Sequence, residues 1–264
     1  MNSGPDVSAN LALAGSLLDE AGQTDCVLAV LPENFALMPE HGKDKARIAE
    51  QPDQGPIQAF LAAAAARNGL WIVAGSMPLV SPAIAEQKVY GACPVYDATG
   101  KPQAIYRKIH LFDVDLVAKQ ESYRESASMY PGKELVTVDS PCGRIGLTIC
   151  YDLRFPEMYR RLVDEGATMF TVPAAFTQTT GEAHWHTLLR ARAIENLAYV
   201  IAPGQYGSHP DNRSTFGHSL ICDPWGRILA EQAEGNGVIA ADIDPALPAR
   251  LRSEFPALAN RRLT

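Results

Sequence analysis

The sequence predicts an α/β protein with mixed rather than purely parallel sheets. Three observations predict it. Short continuous apolar runs alternate with segments of helical period. Some of those runs follow one another directly, separated only by turn residues. No Pro/Gly/Ser-rich linker, internal repeat or low-complexity tract divides the 264 residues, so one domain over 1–264 is expected.

Taken in order, residues 9–22 have helical periodicity and stop at Gly22. Cys26 to Leu31 is a short apolar run of the kind a buried strand shows. An Ala-rich helix is expected from Ile57 to Asn68, closed by Gly69, and a buried strand from Leu70 to Ser76. Val89–Asp97 and Gln103–Arg107 pair around the turn Ala98-Thr99-Gly100-Lys101. Leu135–Asp139 and Gly143–Cys150 are strands, followed by a helix from Pro156 to Glu165 with proline in its first turn and Gly166 as its stop. Ala167–Val172 is a strand, His184–Asn196 a helix, and Ala198–Pro203 a strand. Gly217–Cys222 and Gly226–Glu231 form a hairpin at Asp223-Pro224-Trp225-Gly226, and Val238–Ile243 is expected to close the sheets as a last strand.

Composition excludes several function classes. A net charge of −7 with no basic run argues against nucleic acid as a partner. The apolar stretches are interrupted by Arg67, Asn68, Gly75 and Pro78, well short of the roughly 20 residues a membrane helix needs. The first residues lack the basic start and apolar core of a secretory signal. Five cysteines, an odd number at irregular spacing, do not suggest a disulfide framework. No histidine cluster stands beside Cys142 and Cys150 at zinc spacing, so no metal is expected there. Free thiols and a cytoplasmic location fit this pattern.

Three polar residues share a structural address. Glu33 follows the strand ending at Leu31, Lys108 follows the one ending near Arg107, and Cys150 ends the strand that starts at Gly143. Functional groups in α/β proteins gather at the carboxyl ends of strands. A thiol with an ordinary pKa of about 8.5 needs a base or a cation to act as a nucleophile. Glu33 could supply the base and Lys108 could steady a tetrahedral oxyanion. The backbone N–H of Tyr151 is a candidate second donor. Spacing alone does not require the three to meet, and each has a plainer reading: a buried structural thiol, a solvated lysine, a helix-start carboxylate.

The motifs Leu-Pro-Glu33-Asn, Tyr-Arg-Lys108-Ile-His-Leu-Phe and Gly-Leu-Thr-Ile-Cys150-Tyr-Asp-Leu-Arg-Phe-Pro-Glu, in that order, resemble the nitrilase superfamily of carbon–nitrogen hydrolases. The similarity continues through Tyr123-Arg-Glu125-Ser, Tyr130-Pro-Gly132, Thr180 to Glu195, Gly217-His-Ser219 and Asp223-Pro-Trp-Gly226. The resemblance implies a four-layer α-β-β-α sandwich with two mixed sheets. It implies Glu33 as general base, Lys108 as electrostatic stabiliser, Cys150 as nucleophile and Glu125 as the second glutamate that orients the lysine and substrate. It implies no cofactor and no metal, and a homodimer with residues 245–264 reaching across.

Within the superfamily, Thr180 to Glu195 and Arg213 to Ser219 are most similar to the branch of deaminated glutathione amidases, with omega-amidases next. An anionic amide of that kind calls for cations, and Arg154 and Arg213 are candidates because a guanidinium grips a carboxylate with two N–H groups. Arg154 could equally pair with Asp152 or Glu157, and Arg213 could simply be solvated. His184 and Trp185 are candidates for the pocket mouth or for packing. Omega-amidase, N-carbamoyl hydrolase and nitrilase activities remain open on the same residues, as does a catalytically silent interaction protein. Family members carry a further strand, of the type Val-Ala-Ala-Ile-Gln-Met, ahead of a segment like Asn2-Ser-Gly-Pro-Asp6. Here Met1 stands directly before that segment, so an open apolar slot beside the neighbouring strands is expected.

Overall fold

The computed structural model describes residues 1–116, 121–210 and 213–263. Thr264, the last residue of the segment expected to reach across a dimer, lies outside the described residues. Among the described residues no helix is long and apolar enough to cross a membrane.

The first half of the chain builds one sheet and its helical cover. Helix α1 (Val7–Gly22) starts two residues earlier than its periodicity suggests, because the Asp6 side chain accepts hydrogen bonds from the N–H groups of Ser8 (2.8 Å) and Ala9 (3.1 Å). Helix α2 (Pro56–Asn68) opens on proline and closes at Gly69 in the left-handed region (φ 63°). Its cap comes from outside the helix: the buried Glu50 carboxylate accepts from the N–H groups of Ile57 (2.6 Å) and Gln58 (3.1 Å). Strands β1 (Leu28–Val30) and β2 (Trp71–Val73) are parallel neighbours. Strand β4 (Val89–Tyr96) carries β2 and β3 (Met77–Val80) along one edge and β5 (Pro102–Arg107) along the other. The expected strand Leu70–Ser76 thus ends early, at Val73, and Gly75 (φ 46°) turns the chain towards β3. A Cβ at that position would collide with the Pro32 carbonyl, so glycine lets the Leu31-Pro32-Glu33 segment lie against the sheet.

The second half builds the other sheet, in the order β15-β14-β11-β10-β9-β8. Its strands are β8 (Thr137–Ser140), β9 (Gly143–Leu147), β10 (Met169–Thr171), β11 (Tyr199–Ala202), β14 (Ser219–Cys222) and β15 (Ile228–Gln232). The three central strands β9, β10 and β11 are parallel, and antiparallel pairs flank them. Helices α3 (Pro156–Asp164) and α4 (Gln178–Asn196) cover this sheet. Helix α4 begins six residues ahead of the expected His184, where the Thr177 hydroxyl caps the N–H of Thr180. A short helix α5 (Leu247–Glu254) follows.

The two sheets face each other. Val73, Cys93, Val95 and Tyr106 of the first share one apolar core with Ile145, Leu147 and Met169 of the second. Helices α1 and α2 bury Leu18, Ile57 and Leu61 on the outer face of the first sheet, each worth about 1.5–3 kcal/mol. The result is the nitrilase-type α-β-β-α arrangement with mixed sheets.

Two small hairpins were invisible to periodicity: β6 (Asp113–Leu116) with β7 (Glu121–Arg124), and β12 (Tyr206–Ser208) with β13 (Ser214–Phe216). One expectation fails. Val238–Ile243 runs beside the sheets without joining a ladder. Across a cleft of about 540 Å³ lies β1, paired among the described residues with β2 alone, and Ile201 and Leu220 line the same cleft. Among the described residues no backbone hydrogen bond spans the cleft from 238–243 to β1, so the two stand apart without forming a ladder.

Candidate active site

Between the carboxyl ends of the two sheets lies a cavity of about 200 Å³. It is lined by Glu33, Lys108, Glu125, Cys150 and Tyr151, with Phe112 and Phe176 as apolar walls. Glu33 follows β1 after Pro32, and Lys108 follows β5 directly. Cys150 does not end its strand as expected. It lies past β9, which stops at Leu147, and opens a 3₁₀ turn (Cys150–Arg154). There it sits at φ 48°, a left-handed conformation unusual for a non-glycine residue. Its N–H is anchored on the Pro173 carbonyl at 2.9 Å.

Charges interlock around the lysine. Lys108 Nζ donates to Glu33 Oε1 at 2.9 Å and to the two Glu125 oxygens at 2.9 and 3.0 Å. Glu33 Oε2 accepts from the Ala175 N–H at 2.8 Å, and Glu125 Oε2 accepts from the Phe112 N–H at 2.6 Å. Glu33, Lys108 and Cys150 are buried, at 5%, 3% and 8% exposure. The Cys150 thiol is close enough to the Glu33 carboxylate for each to shift the other's titration.

Burial sets the direction of each titration, and neighbours decide the outcome. Burial, with the Glu33 charge added, holds the Cys150 thiol well above its usual range despite Lys108. Burial would raise Glu33, but the Lys108 charge and hydrogen bond and the Cys150 contact outweigh it and leave the carboxyl below its usual range. Burial would lower Lys108, but Glu125 and Glu33 hold it well above the ordinary ammonium value. The resting pocket therefore holds a thiol beside a carboxylate and an ammonium. That arrangement suits proton removal from sulfur as the sulfur attacks.

A fully buried carboxylate that the sequence reading left without a role ties the parts together. Asp152 accepts from the Ile149 N–H (2.9 Å), the Tyr106 hydroxyl (2.7 Å), and the His110 N–H (3.1 Å) and Nδ1 (2.7 Å). It thus fixes the Cys150 turn against the segment bearing Lys108. The Tyr151 N–H lies ahead of the first bond of that turn, Asp152 N–H to Ile149 C=O at 3.0 Å, where helix amides have no internal acceptor.

The residues expected to bind substrate divide. Arg213 lines the cavity, and its guanidinium donates to the carbonyls of Pro39 (2.6 Å) and Pro210 (3.3 Å) rather than to a carboxylate. Arg154 does not line it. Nor does it pair with Asp152 or Glu157: it lies over the Phe176 ring at 5.0 Å and contacts His184 Nδ1 at 3.2 Å. His184 is exposed on α4, outside the lining. Trp185 is fully buried, packing on Phe176 (5.0 Å) and donating to the His218 carbonyl (2.8 Å). These two point away because the helix starts at Gln178 rather than at His184, so the cavity meets its first turn, at Thr180.

The sequence reading missed Lys45. It sits on a polar 3₁₀ turn (Gly42–Ile48), is buried, and lines the same cavity. Burial lowers its pKa, opposed by the charges of Glu125 and Glu33. A polar turn has no periodicity that would single it out.

A buried thiol, carboxylate and ammonium thus share one cavity at the ends of two facing sheets. The chain belongs to the carbon-nitrogen hydrolase family, which it matches over residues 1–253, and it is a hydrolase acting on amides. It is 41% identical over 265 aligned residues to the deaminated glutathione amidase of Synechocystis, covering 99% of this chain and 95% of that protein. Among solved structures it is similar to the C. elegans NitFhit protein (TM-score 0.91, 35% identity, 99% of this chain), of which it spans 63%. It is also similar to Saccharomyces cerevisiae Nit3, a member of branch 10 of the nitrilase superfamily (TM-score 0.87, 32% identity, 99% of this chain and 93% of that one).

Proposed function

We propose that the chain hydrolyses the amide of deaminated glutathione, releasing 2-oxoglutarate and Cys-Gly, through a thioester on Cys150. One observation carries the reading: the thiol, its carboxylate and its ammonium share a cavity with two further cations, Lys45 and Arg213. Relatives named for this substrate support it. Glu33 takes the thiol proton as Sγ attacks the amide carbonyl. Lys108 and the Tyr151 N–H receive the oxyanion. Glu33 then hands its proton to the departing amine, later takes one from the water that cleaves the thioester, and returns that proton to the departing Cys150 sulfur. Glu125 holds the lysine in place. Lys45 and Arg213 meet the substrate carboxylates. Omega-amidase, N-carbamoyl hydrolase and nitrilase chemistry on the same residues are the competing readings. The protein acts as a homodimer in this reading, and the exposed Trp225 and Phe255 (54% and 55%) supply apolar surface for it.

Acid-quenching an enzyme–substrate mixture is expected to trap a 2-oxoglutaryl group on the peptide bearing Cys150, read by mass spectrometry. A panel of deaminated glutathione, 2-oxoglutaramate and N-carbamoyl amino acids is expected to give the first the highest kcat/KM. An adduct on any other residue rejects the mechanism, and a different favoured substrate rejects the specificity.

Lys45 gives a separate expectation. Lys45→Met should raise KM for anionic amides by about tenfold or more with kcat little changed, as loss of a charge-assisted hydrogen bond of about 1.5–3 kcal/mol would do. Because burial lowers the Lys45 pKa, its charge is lost at lower pH than an ordinary lysine's. KM in the unmodified enzyme should therefore climb on the alkaline side, and that limb should vanish in Lys45→Met.

A further inference from the structure

Away from the cavity, three elements bring His186, His218 and Glu231 together. His186 lies on α4, His218 joins β13 to β14, and Glu231 lies on β15. One oxygen, Glu231 Oε1, stands 2.8 Å from His186 Nε2 and 2.6 Å from His218 Nδ1. The three candidate ligand atoms all lie within 4.8 Å of one another, the only such group of three among the described residues. Their packing is built rather than casual. The His218 ring stacks on Phe216 (4.2 Å, 21°), and His186 meets the same ring edge-on (5.9 Å, 89°). Trp185 Nε1 holds the His218 carbonyl at 2.8 Å. His218 itself sits at φ 51°, a conformation the surroundings must impose on a non-glycine residue. The three side chains are 27–34% exposed, so an ion can reach them.

We propose that His186, His218 and Glu231 form a binding site for a divalent transition-metal ion of the zinc class, with water completing the coordination. Two imidazole nitrogens and one carboxylate oxygen suit zinc, cobalt or nickel, whereas magnesium and calcium favour sites made of oxygen alone. Bond lengths of about 2.0–2.2 Å place such ligand atoms a little over 3 Å apart, so small side-chain shifts suffice. For coordination each imidazole carries its proton on the ring nitrogen that faces away from Glu231, which leaves both facing nitrogens free to bind the ion. The ion would pin α4 to the β14–β15 hairpin, and α4 carries Trp185, which packs on the cavity wall at Phe176.

The test uses the Cys150→Ala chain, so that the cavity thiol takes no metal. Chelator-stripped protein is titrated with Co²⁺ and with Zn²⁺, followed by calorimetry and, for Co²⁺, by visible absorption. The expected result is one equivalent bound, with nitrogen/oxygen-type ligand-field bands and no thiolate charge-transfer band. His186→Ala and, separately, Glu231→Gln should each weaken binding by tenfold or more while leaving the metal-free melting temperature close to the parent's. Absence of saturable binding overturns the proposal. So does binding that either substitution leaves unchanged, or a thiolate band.

Discussion

Replacing Cys150 with alanine is expected to abolish turnover, a fall of at least about four orders of magnitude in kcat/KM, while circular dichroism stays unchanged. In the proposed mechanism the sulfur contributes the bond-forming atom, and among the described residues Cys150 is the one thiol that lines the cavity. Its backbone place is held by the Pro173 carbonyl and by the Asp152 network, neither of which involves the side chain of residue 150. Alanine inherits the same left-handed backbone and so adds no new strain. Serine should fare little better, since its hydroxyl is far harder to deprotonate than a thiol. Residual turnover near the parent's rate in either variant would remove Cys150 as the nucleophile.

The second large effect is expected at Glu33. Glu33→Gln should lower kcat by about 10²- to 10⁴-fold, the usual contribution of a placed general base, equivalent to about 3–5 kcal/mol at about 1.36 kcal/mol per decade. The amide can satisfy either Lys108 Nζ or the Ala175 N–H, but its NH₂ must face the other, both of which are donors. Some loss of stability therefore accompanies the kinetic effect. The pH profile gives an independent reading. Because Lys108 holds the Glu33 carboxyl below its ordinary range, the base stays ionised, and kcat/KM should persist, to a pH below the usual glutamate value before falling. Stability follows the same sign: a depressed carboxyl stabilises the fold above its unfolded pKa, and that share is lost as pH falls through the folded value. An acid limb centred well above the ordinary carboxylate range would exclude Glu33 as the base.

Much of this was legible in the sequence where local signals agree with tertiary ones. Gly69 marked the end of α2, whose start was expected one residue late at Ile57, proline and glycine marked the two ends of α3, and the Asp223–Gly226 turn marked the β14–β15 hairpin. The order of the motifs around Glu33, Lys108 and Cys150 pointed to one pocket, and the fold gathers them there. What sequence could not convey was partnership across the chain. Val238–Ile243 has a strand's composition, but a cleft separates it from β1 and no ladder forms, so its composition misled. Lys45 and Asp152 matter through what they face, and neither a polar turn nor a single aspartate announces its neighbours. Strand β6, Asp113-Val-Asp-Leu116, does alternate polar and apolar residues, but over only four positions, too few to stand out as a strand. Helix α4 extends over a Gln-Thr-Thr-Gly start that looks like loop, because a threonine cap and packing outweigh weak propensity.

Glu33 comes from one sheet's end and Cys150 from the other's, and the Ala175 amide that steadies Glu33 is 142 residues away along the chain. The first half brings Glu33, Lys108 and Glu125 together, but Cys150 and the Ala175 amide come only from the second. During refolding, helices and hairpins can form locally, but the distant segments must close large loops before these groups meet. Catalytic competence is accordingly among the last properties the chain acquires, and recovered activity certifies that both layers have docked in register.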